Sequence, residues 1–218
     1  MNVIFLGAPG SGKGTQAAML AKEINIPTIS TGAVLREEVS QQSEIGKLAK
    51  SYMESGQLVP DEVVVGIIKN RIVESDCKKG FILDGFPRNI AQAEILDKMM
   101  SSLNKKIEIV FDFNVDEGVL VKRISGRFSC KKCGSVYNSH FKKTSKDGIC
   151  DDCGSSEFES RSDDNEATVK SRLNVYHEST FDLIGYYKKN NLLLSIEAVK
   201  TAPLVFQEVI KAVRNFSN

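Results

Sequence analysis

An α/β fold, with a parallel sheet covered by helices on both faces, is what the sequence predicts. Three observations carry that prediction. Short apolar runs alternate along the chain with segments of helical periodicity. The first of these runs ends at a glycine-rich turn that opens a helix. Two polar stretches interrupt the alternation and read as inserts on a common core.

Taken in order, residues 3–6 form a short apolar run that stops at Gly7, the pattern of a buried strand. A helical pattern follows over 13–24. Residues 80–84 make a second buried run, ending in the carboxylate of Asp84, and residues 107–113 a third, rich in Ile, Val and Phe. Residues 192–196 make a fourth. Helical periodicity fills 61–74 and 163–189. The interrupting stretches are 31–60, helical and polar with Gly32, Gly46 and Gly56 as punctuation, and 127–160, polar, Lys-rich and Cys-containing. The core is therefore expected from 1–30, 61–126 and 161–218.

Composition excludes several classes. With 218 residues, 41% hydrophobic and 26% charged, the chain is neither a disordered tail nor a collagen-like repeat. Lys and Arg number 29 against 28 Asp and Glu, a net charge of +1, without the basic excess of a phosphate-dominated nucleic-acid binder. No apolar run approaches the roughly 20 residues that span a bilayer. The opening segment lacks a basic leader and is too short for a signal peptide. A cytoplasmic protein is expected, and nothing marks an oligomer surface, so a monomer.

Residues 7–15 read GAPGSGKGT. After a strand and before a helix, this is the form of a phosphate-binding loop. Gly7, Gly10 and Gly12 let backbone N–H groups turn toward an anion, and the helix N-terminus adds positive potential. Lys13 reaches the β- and γ-phosphates; Gly14 intervenes before Thr15. Asp84, at the end of a buried strand beside such a loop, can hold Mg²⁺ through water. Asp112 offers the same chemistry on the next strand but reads as structural. Arg36 and Arg88 flank the first insert and the Asp84 strand, while Arg123, Arg127, Arg161 and Arg172 bracket the second. Arginine makes planar, bidentate contacts to phosphate, so an insert closing over a polyphosphate is expected.

The cysteines have their own pattern. Cys130, Cys133, Cys150 and Cys153 form two CxxC pairs with sixteen residues between them, while Cys77 stands alone. In a reducing compartment, paired CxxC knuckles point to structural zinc, with a pair of disulfides as the competing reading and His140 as a weaker alternative ligand. Four thiolates would staple an insert of about 35 residues, too small to be rigid by its own core.

These segments together resemble the nucleoside monophosphate kinases, and most closely the adenylate kinases with a long, zinc-bearing lid. The loop at 7–15 carries that family's extra glycine before threonine. Residues 29–36 (ISTGAVLR) and 56–61 (GQLVPD) resemble the two ends of a monophosphate-binding insert. Residues 84–92 (DGFPRNIAQ) resemble the most distinctive family motif, 123–127 (RISGR) the start of the lid, and 161–164 (RSDD) with Arg172 its end. The resemblance runs from residue 1 to about 195.

It implies a P-loop core of three layers, a monophosphate-binding insert at 31–60 and a zinc lid at 127–160. The activity implied is ATP + AMP ⇌ 2 ADP with Mg²⁺. On this reading Gly10, Ser11, Gly12, Lys13, Gly14 and Thr15 hold the donor phosphates. Thr31, Gly32, Arg36, Val59, Gly85, Arg88, Gln92, Arg161 and Arg172 bind AMP, with Gln92 on the adenine edge. Arg123 and the backbone near Lys200 meet the donor adenine. Arg127, Arg161 and Arg172 converge on the transferring phosphoryl group, and Asp84 organises Mg²⁺. No catalytic histidine is implied, and His140 and His177 read as surface or packing residues.

The sequence departs from the family pattern at Ala33, Gln57, Phe128 and Glu197-Ala198. Two other readings stay open. One is a kinase for another monophosphate or a GTP donor. The other is a zinc-ribbon nucleic-acid-binding NTPase, supported by the Lys131-Lys132 and Lys142-Lys143 pairs.

Overall fold

The computed structural model describes residues 1–217; Asn218, the last residue of the expected core, lies outside them. The chain opens with β1 (Asn2–Leu6), α1 (Lys13–Ile24) and β2 (Thr28–Ser30). The first polar stretch holds α2 (Thr31–Ser40) and α3 (Glu44–Ser55), and α4 (Asp61–Arg71) follows. The middle of the chain supplies β3 (Phe81–Asp84), α5 (Ile90–Ser102), β4 (Ile109–Asn114) and α6 (Glu117–Ser125). The second polar stretch holds β5 (Arg127–Cys130), β6 (Val136–Asn138) and β7 (Phe158–Glu159). The chain ends with α7 (Glu166–Val175), α8 (Asp182–Lys189), β8 (Leu193–Glu197) and α9 (Ala202–Ser217).

Five strands form one parallel sheet in the order β2-β3-β1-β4-β8. Strand periodicity explains its three layers, because successive side chains face opposite sides. In β1, Ile4 and Leu6 enter one core with Leu83, Val110 and residues of α4, α5 and α8. Val3 and Phe5 enter the other with Ile82, Phe111, Phe113 and residues of α1 and α9. On that second face Phe5 meets Phe111 edge-on at 5.4 Å. The register pairs Phe5 with Asp84 and Leu6 with Asp112, so two carboxylates flank the end of β1 where the glycine-rich loop begins.

The four expected core strands are present, and β2 is an additional edge strand of three residues, too short to leave a pattern. The helix expected over 61–74 ends at Arg71. The Arg71 guanidinium instead reaches Asp76 at 2.6 and 2.8 Å across a short 3-10 turn, Ser75–Lys78, that buries Cys77. The helical stretch over 163–189 is α7 and α8 joined through a π-helical segment, Tyr176–Thr180. The cysteine-bearing stretch, which shows no strand pattern in the sequence, is a three-stranded antiparallel sheet in the order β6-β5-β7. Its small core is Tyr137, Cys130 and Cys150 packed with Phe128, Phe158 and Cys153. No helix among the described residues is long and apolar enough to cross a membrane.

Two helices approach closely at Gly46. Ser43 caps α3 by accepting the Gly46 N–H at 2.9 Å. A Cβ on Gly46 would stand 2.0 Å from the Glu38 carbonyl oxygen of α2. Gly46→Ala should therefore pry α2 from α3 and lower stability by about 2 kcal/mol, as overpacking does. Chemical denaturation measures this, and an unchanged midpoint would show that the contact yields without cost.

Candidate functional site

The loop after β1 is shaped by close approach. Gly7 has φ 138°, and a Cβ there would meet the Phe113 carbonyl oxygen at 2.8 Å. Only glycine lets the chain leave the sheet this tightly. Downstream, the N-cap of α1 is Gly12, which offers no side-chain cap, and the helix's first turn carries no acidic residue. Helices α3, α5, α6 and α7 are each capped by a side chain instead, from Ser43, Asn89, Asp116 and Asn165. The N–H groups of α1 are thus left for an anion. Lys13 folds back over the loop, donating to the Gly7 carbonyl at 2.6 Å and the Ala8 carbonyl at 2.9 Å. Burial lowers its pKa from 10.5 to about 8, against the opposing pull of Asp84.

The predicted phosphate-binding cations gather around this loop. Lys13 lies in the electrostatic field of Asp84, Arg88, Arg172 and Arg127. Arg36 lies in that of Asp163, Arg127, Arg172 and Asp164. Burial lowers the pKa of Arg88, with Arg172 next among the causes. Burial, then Arg127 and Arg36, bring Arg161 down to about 10. Cations crowded closely enough to depress one another form a site that favours anions.

Two buried carboxylates hold part of this cluster together. Arg127 makes a fork to Asp164, its Nε donating to Oδ2 at 2.7 Å and its Nη2 to Oδ1. Arg172 reaches Asp163 at 3.0 Å and Asp164 at 3.3 Å. Asp163 and Asp164 stand within the segment 161–164, but sequence reasoning assigned them no role. Only their place just after Arg161 signals it.

Arg88 is fixed from its own backbone outward. Its N–H donates to Gln92 Oε1 at 2.8 Å, its Nε to the Gly85 carbonyl at 2.9 Å, and its carbonyl accepts from Thr180 Oγ1 at 2.8 Å. Thr31 Oγ1 donates to the same Gly85 carbonyl at 2.9 Å. Gln92 is buried and donates to Asp61 at 2.7 Å, and Asn89 donates to both Asp61 oxygens at 3.1 Å. Asp61, which positions Gln92 from α4, is a further residue the sequence did not single out. Gly32 lies against the Arg36 guanidinium, and Val59 is buried just before α4.

Asp84 faces the loop. Its Oδ2 lies 3.4 Å from where a Cβ on Gly14 would stand, so the carboxylate stands against the first turn of α1. A carboxylate at this strand end, beside the loop, is a donor of the kind that suits a hydrated divalent cation. Asp112, on the opposite flank of β1, is buried with Oδ1 unpaired, and burial raises its pKa.

Arg123 Nη1 donates to the Ser11 carbonyl at 3.4 Å, tying α6 to the loop. Over its guanidinium, 5.6 Å from the ring centre, lies Phe141, 53% exposed and not predicted from the sequence. Thr15 is half-buried in the first turn of α1. The Lys200 side chain does not join the cation cluster; it is exposed and pairs with Glu208 at 2.7 Å. The neighbouring Ala202 carbonyl accepts from Gln16 of α1 at 2.9 Å. Of the departures, Gln57 donates to Ser171 Oγ at 3.1 Å and Phe128 packs inside the small sheet. Nothing around Ala33 explains its choice.

All five cysteines are free, which overturns the disulfide reading. The sulfurs of Cys130, Cys133, Cys150 and Cys153 lie within 4.8 Å of one another. Cys130 and Cys153 approach to 3.5 Å, as do Cys133 and Cys150. Tetrahedral zinc with bonds of ~2.3 Å needs sulfurs ~3.8 Å apart, so the four fit that ion. Both knuckles have one turn geometry: Gly134 N–H donates to the Cys130 carbonyl and Gly154 N–H to that of Cys150, each at 2.9 Å. His140 is exposed and lies outside the cluster.

Comparison with known proteins agrees along nearly the whole chain. A family model described as adenylate kinase matches residues 5–192. A protein named adenylate kinase from Archaeoglobus fulgidus is 50% identical over 209 residues, covering 96% of this chain and 96% of its own. One from Caldicellulosiruptor saccharolyticus is 50% identical over 212 residues, covering 97% and 98%. One from Methanosarcina barkeri is 48% identical over 217 residues, covering 100% of both chains.

The double role of Asp164 sets an expected cost. Asp164→Ala leaves Arg127 without its fork and Arg172 with one partner fewer, so stability should fall by about 3 kcal/mol. Urea denaturation of the unliganded protein checks this; a loss below 1 kcal/mol would mean that the guanidinium groups re-solvate freely.

Proposed function

This chain belongs to the adenylate kinase family, and from that membership we propose how its side chains divide the work. The activity is that of a nucleoside monophosphate kinase: a phosphoryl group passes from ATP to AMP, giving two ADP. The observation that carries the proposal is the convergence of Lys13, Arg36, Arg88, Arg127, Arg161 and Arg172 beside an uncapped helix N-terminus.

The chemistry asks for positioning and charge compensation. An oxygen of the AMP phosphate attacks the terminal phosphorus of ATP in line, and the bond to the ADP leaving oxygen breaks. No side chain needs to act as a strong base, because the acceptor oxygen is already anionic. Backbone N–H groups from Gly10 to Thr15, with Ser11 and Lys13, cradle the donor phosphates. Arg36 and Arg88 hold the AMP phosphate, with Thr31, Gly32, Val59 and Gly85 forming the pocket wall and Gln92 facing the base. Arg127, Arg161 and Arg172 face the charge that spreads over the transferring group. Mg²⁺, when bound with ATP, supplies further charge compensation, and Asp84 is the residue that orients its waters.

Residues 31–60 act as the monophosphate-binding insert and 127–160 as the lid, on a core of 1–30, 61–126 and 161–218. Closure of both keeps water, a competing acceptor, away from the phosphoryl group. Arg123 with Phe141 forms a platform for the donor base, and the backbone near Lys200 borders it. Structural Zn²⁺ on Cys130, Cys133, Cys150 and Cys153 supplies metal–sulfur crosslinks that stiffen the lid. The reading includes a monomer working in the cytoplasm.

Phosphoryl transfer to AMP, UMP, CMP and GMP, from Mg·ATP and Mg·GTP in turn, tests substrate choice directly. Preference for ATP with AMP is expected; transfer to another monophosphate would overturn the role given to Gln92. A second expectation concerns Lys13. Its amine is half-deprotonated near pH 8 in the empty protein, and bound polyphosphate favours its ammonium form. Nucleotide binding at pH 8 should therefore take up a proton, and affinity should fall as pH rises from about 8 toward 10.5. Calorimetry in buffers of different ionisation heat measures the uptake, which Lys13→Met should lack.

A further inference from the structure

Tyr137 is the most buried aromatic side chain of the lid, 1% exposed, and no step of phosphoryl transfer uses it. It sits on β6 between two rings, with Phe128 stacked at 5.7 Å and Phe158 edge-on at 5.7 Å. Packing of this kind would suit phenylalanine equally well. The hydroxyl is therefore the informative atom.

Two groups touch that hydroxyl. The Asp151 N–H donates to it at 2.8 Å, and Cys150 Sγ lies 3.4 Å away. The amide occupies the oxygen as an acceptor, so the hydroxyl proton is free to go elsewhere, and Cys150 Sγ is its recorded neighbour. A metal-bound cysteine is a thiolate with no proton of its own. Once Cys150 is a ligand, the tyrosine must be the donor. Cys133 has a different surrounding: its sulfur lies 3.1 Å from Ser135 Oγ, whose own proton goes to Asp152 at 2.5 Å.

We propose that Tyr137 is a positioning residue of the lid's metal site, donating a hydrogen bond from its hydroxyl to the Cys150 thiolate. The proposal rests on the zinc reading above. The bond would orient Cys150 toward the other three sulfurs and draw charge from its thiolate. It would also tie the metal to the aromatic core, since one side chain touches both.

The test uses the full chain, wild type and Tyr137→Phe, with Zn²⁺ and Co²⁺ alone as probes. Competition against a chromophoric chelator gives zinc affinity, expected to fall about 10–100-fold in the variant. In the cobalt-loaded proteins the sulfur-to-metal charge-transfer band should move to lower energy in the variant, because its thiolate is no longer stabilised. Weaker binding with an unmoved band would assign Tyr137 to packing and overturn the proposal, as would unchanged affinity. Wild-type protein that binds no zinc would overturn the zinc reading itself. If Tyr137→Phe does not fold, the wild type loaded with an NMR-active cadmium isotope decides. A coupling between the metal and the Tyr137 hydroxyl proton supports the hydrogen bond, and its absence overturns it.

Discussion

The structure depends on keeping like charges close together without a ligand to neutralise them. Burial, and then the nearness of other cations such as Arg127 and Arg172, lowers the pKa values of Lys13, Arg36, Arg88 and Arg161. Left alone, such a cluster would spread toward water. Asp84, Asp163 and Asp164 counter it from within, and the backbone carbonyls of Gly7, Ala8 and Gly85 take some of the N–H donors. The carboxylates do not cancel the cations, so the interior keeps a net positive field that a polyphosphate completes. Distant segments meet here for that reason: Arg127 begins β5, Asp164 precedes α7, and Arg88 follows β3.

Much of this was legible in the sequence, and the remainder was illegible for identifiable reasons. The strands at the centre of the sheet are apolar on both faces, so each reads as a continuous run. The loop at 7–15 reads clearly because glycines, a lysine and a following helix must occur in fixed order. Strand β2 is only three residues long and leaves no periodicity. The lid sheet hides because its strands are short and its core is assembled from cysteines, Tyr137, Phe128 and Phe158 scattered among polar residues. Asp61, Asp163 and Asp164 were missed because carboxylates beside helix starts are ordinary. Their partners lie far away in the chain, as Asp164 does from Arg127 and Asp61 from Gln92.

The lid shows how a departure from a family pattern can be a packing choice. Phe128 follows Arg127 in β5, so the two side chains point to opposite faces of a small sheet. Arg127 turns to the cation cluster and Phe128 to Tyr137 and Phe158. A charged residue at 128 would face that aromatic layer. The small sheet thus has two sides, one turned to the cation cluster and one to its own cohesion.

Lys13 gives the loop a property of its own. By lying across the Gly7 and Ala8 carbonyls it acts as an internal competitor, occupying the cradle from within. On the proposed role of Lys13, a nucleotide would displace those contacts on arrival. Its affinity would then be the difference between two bound arrangements.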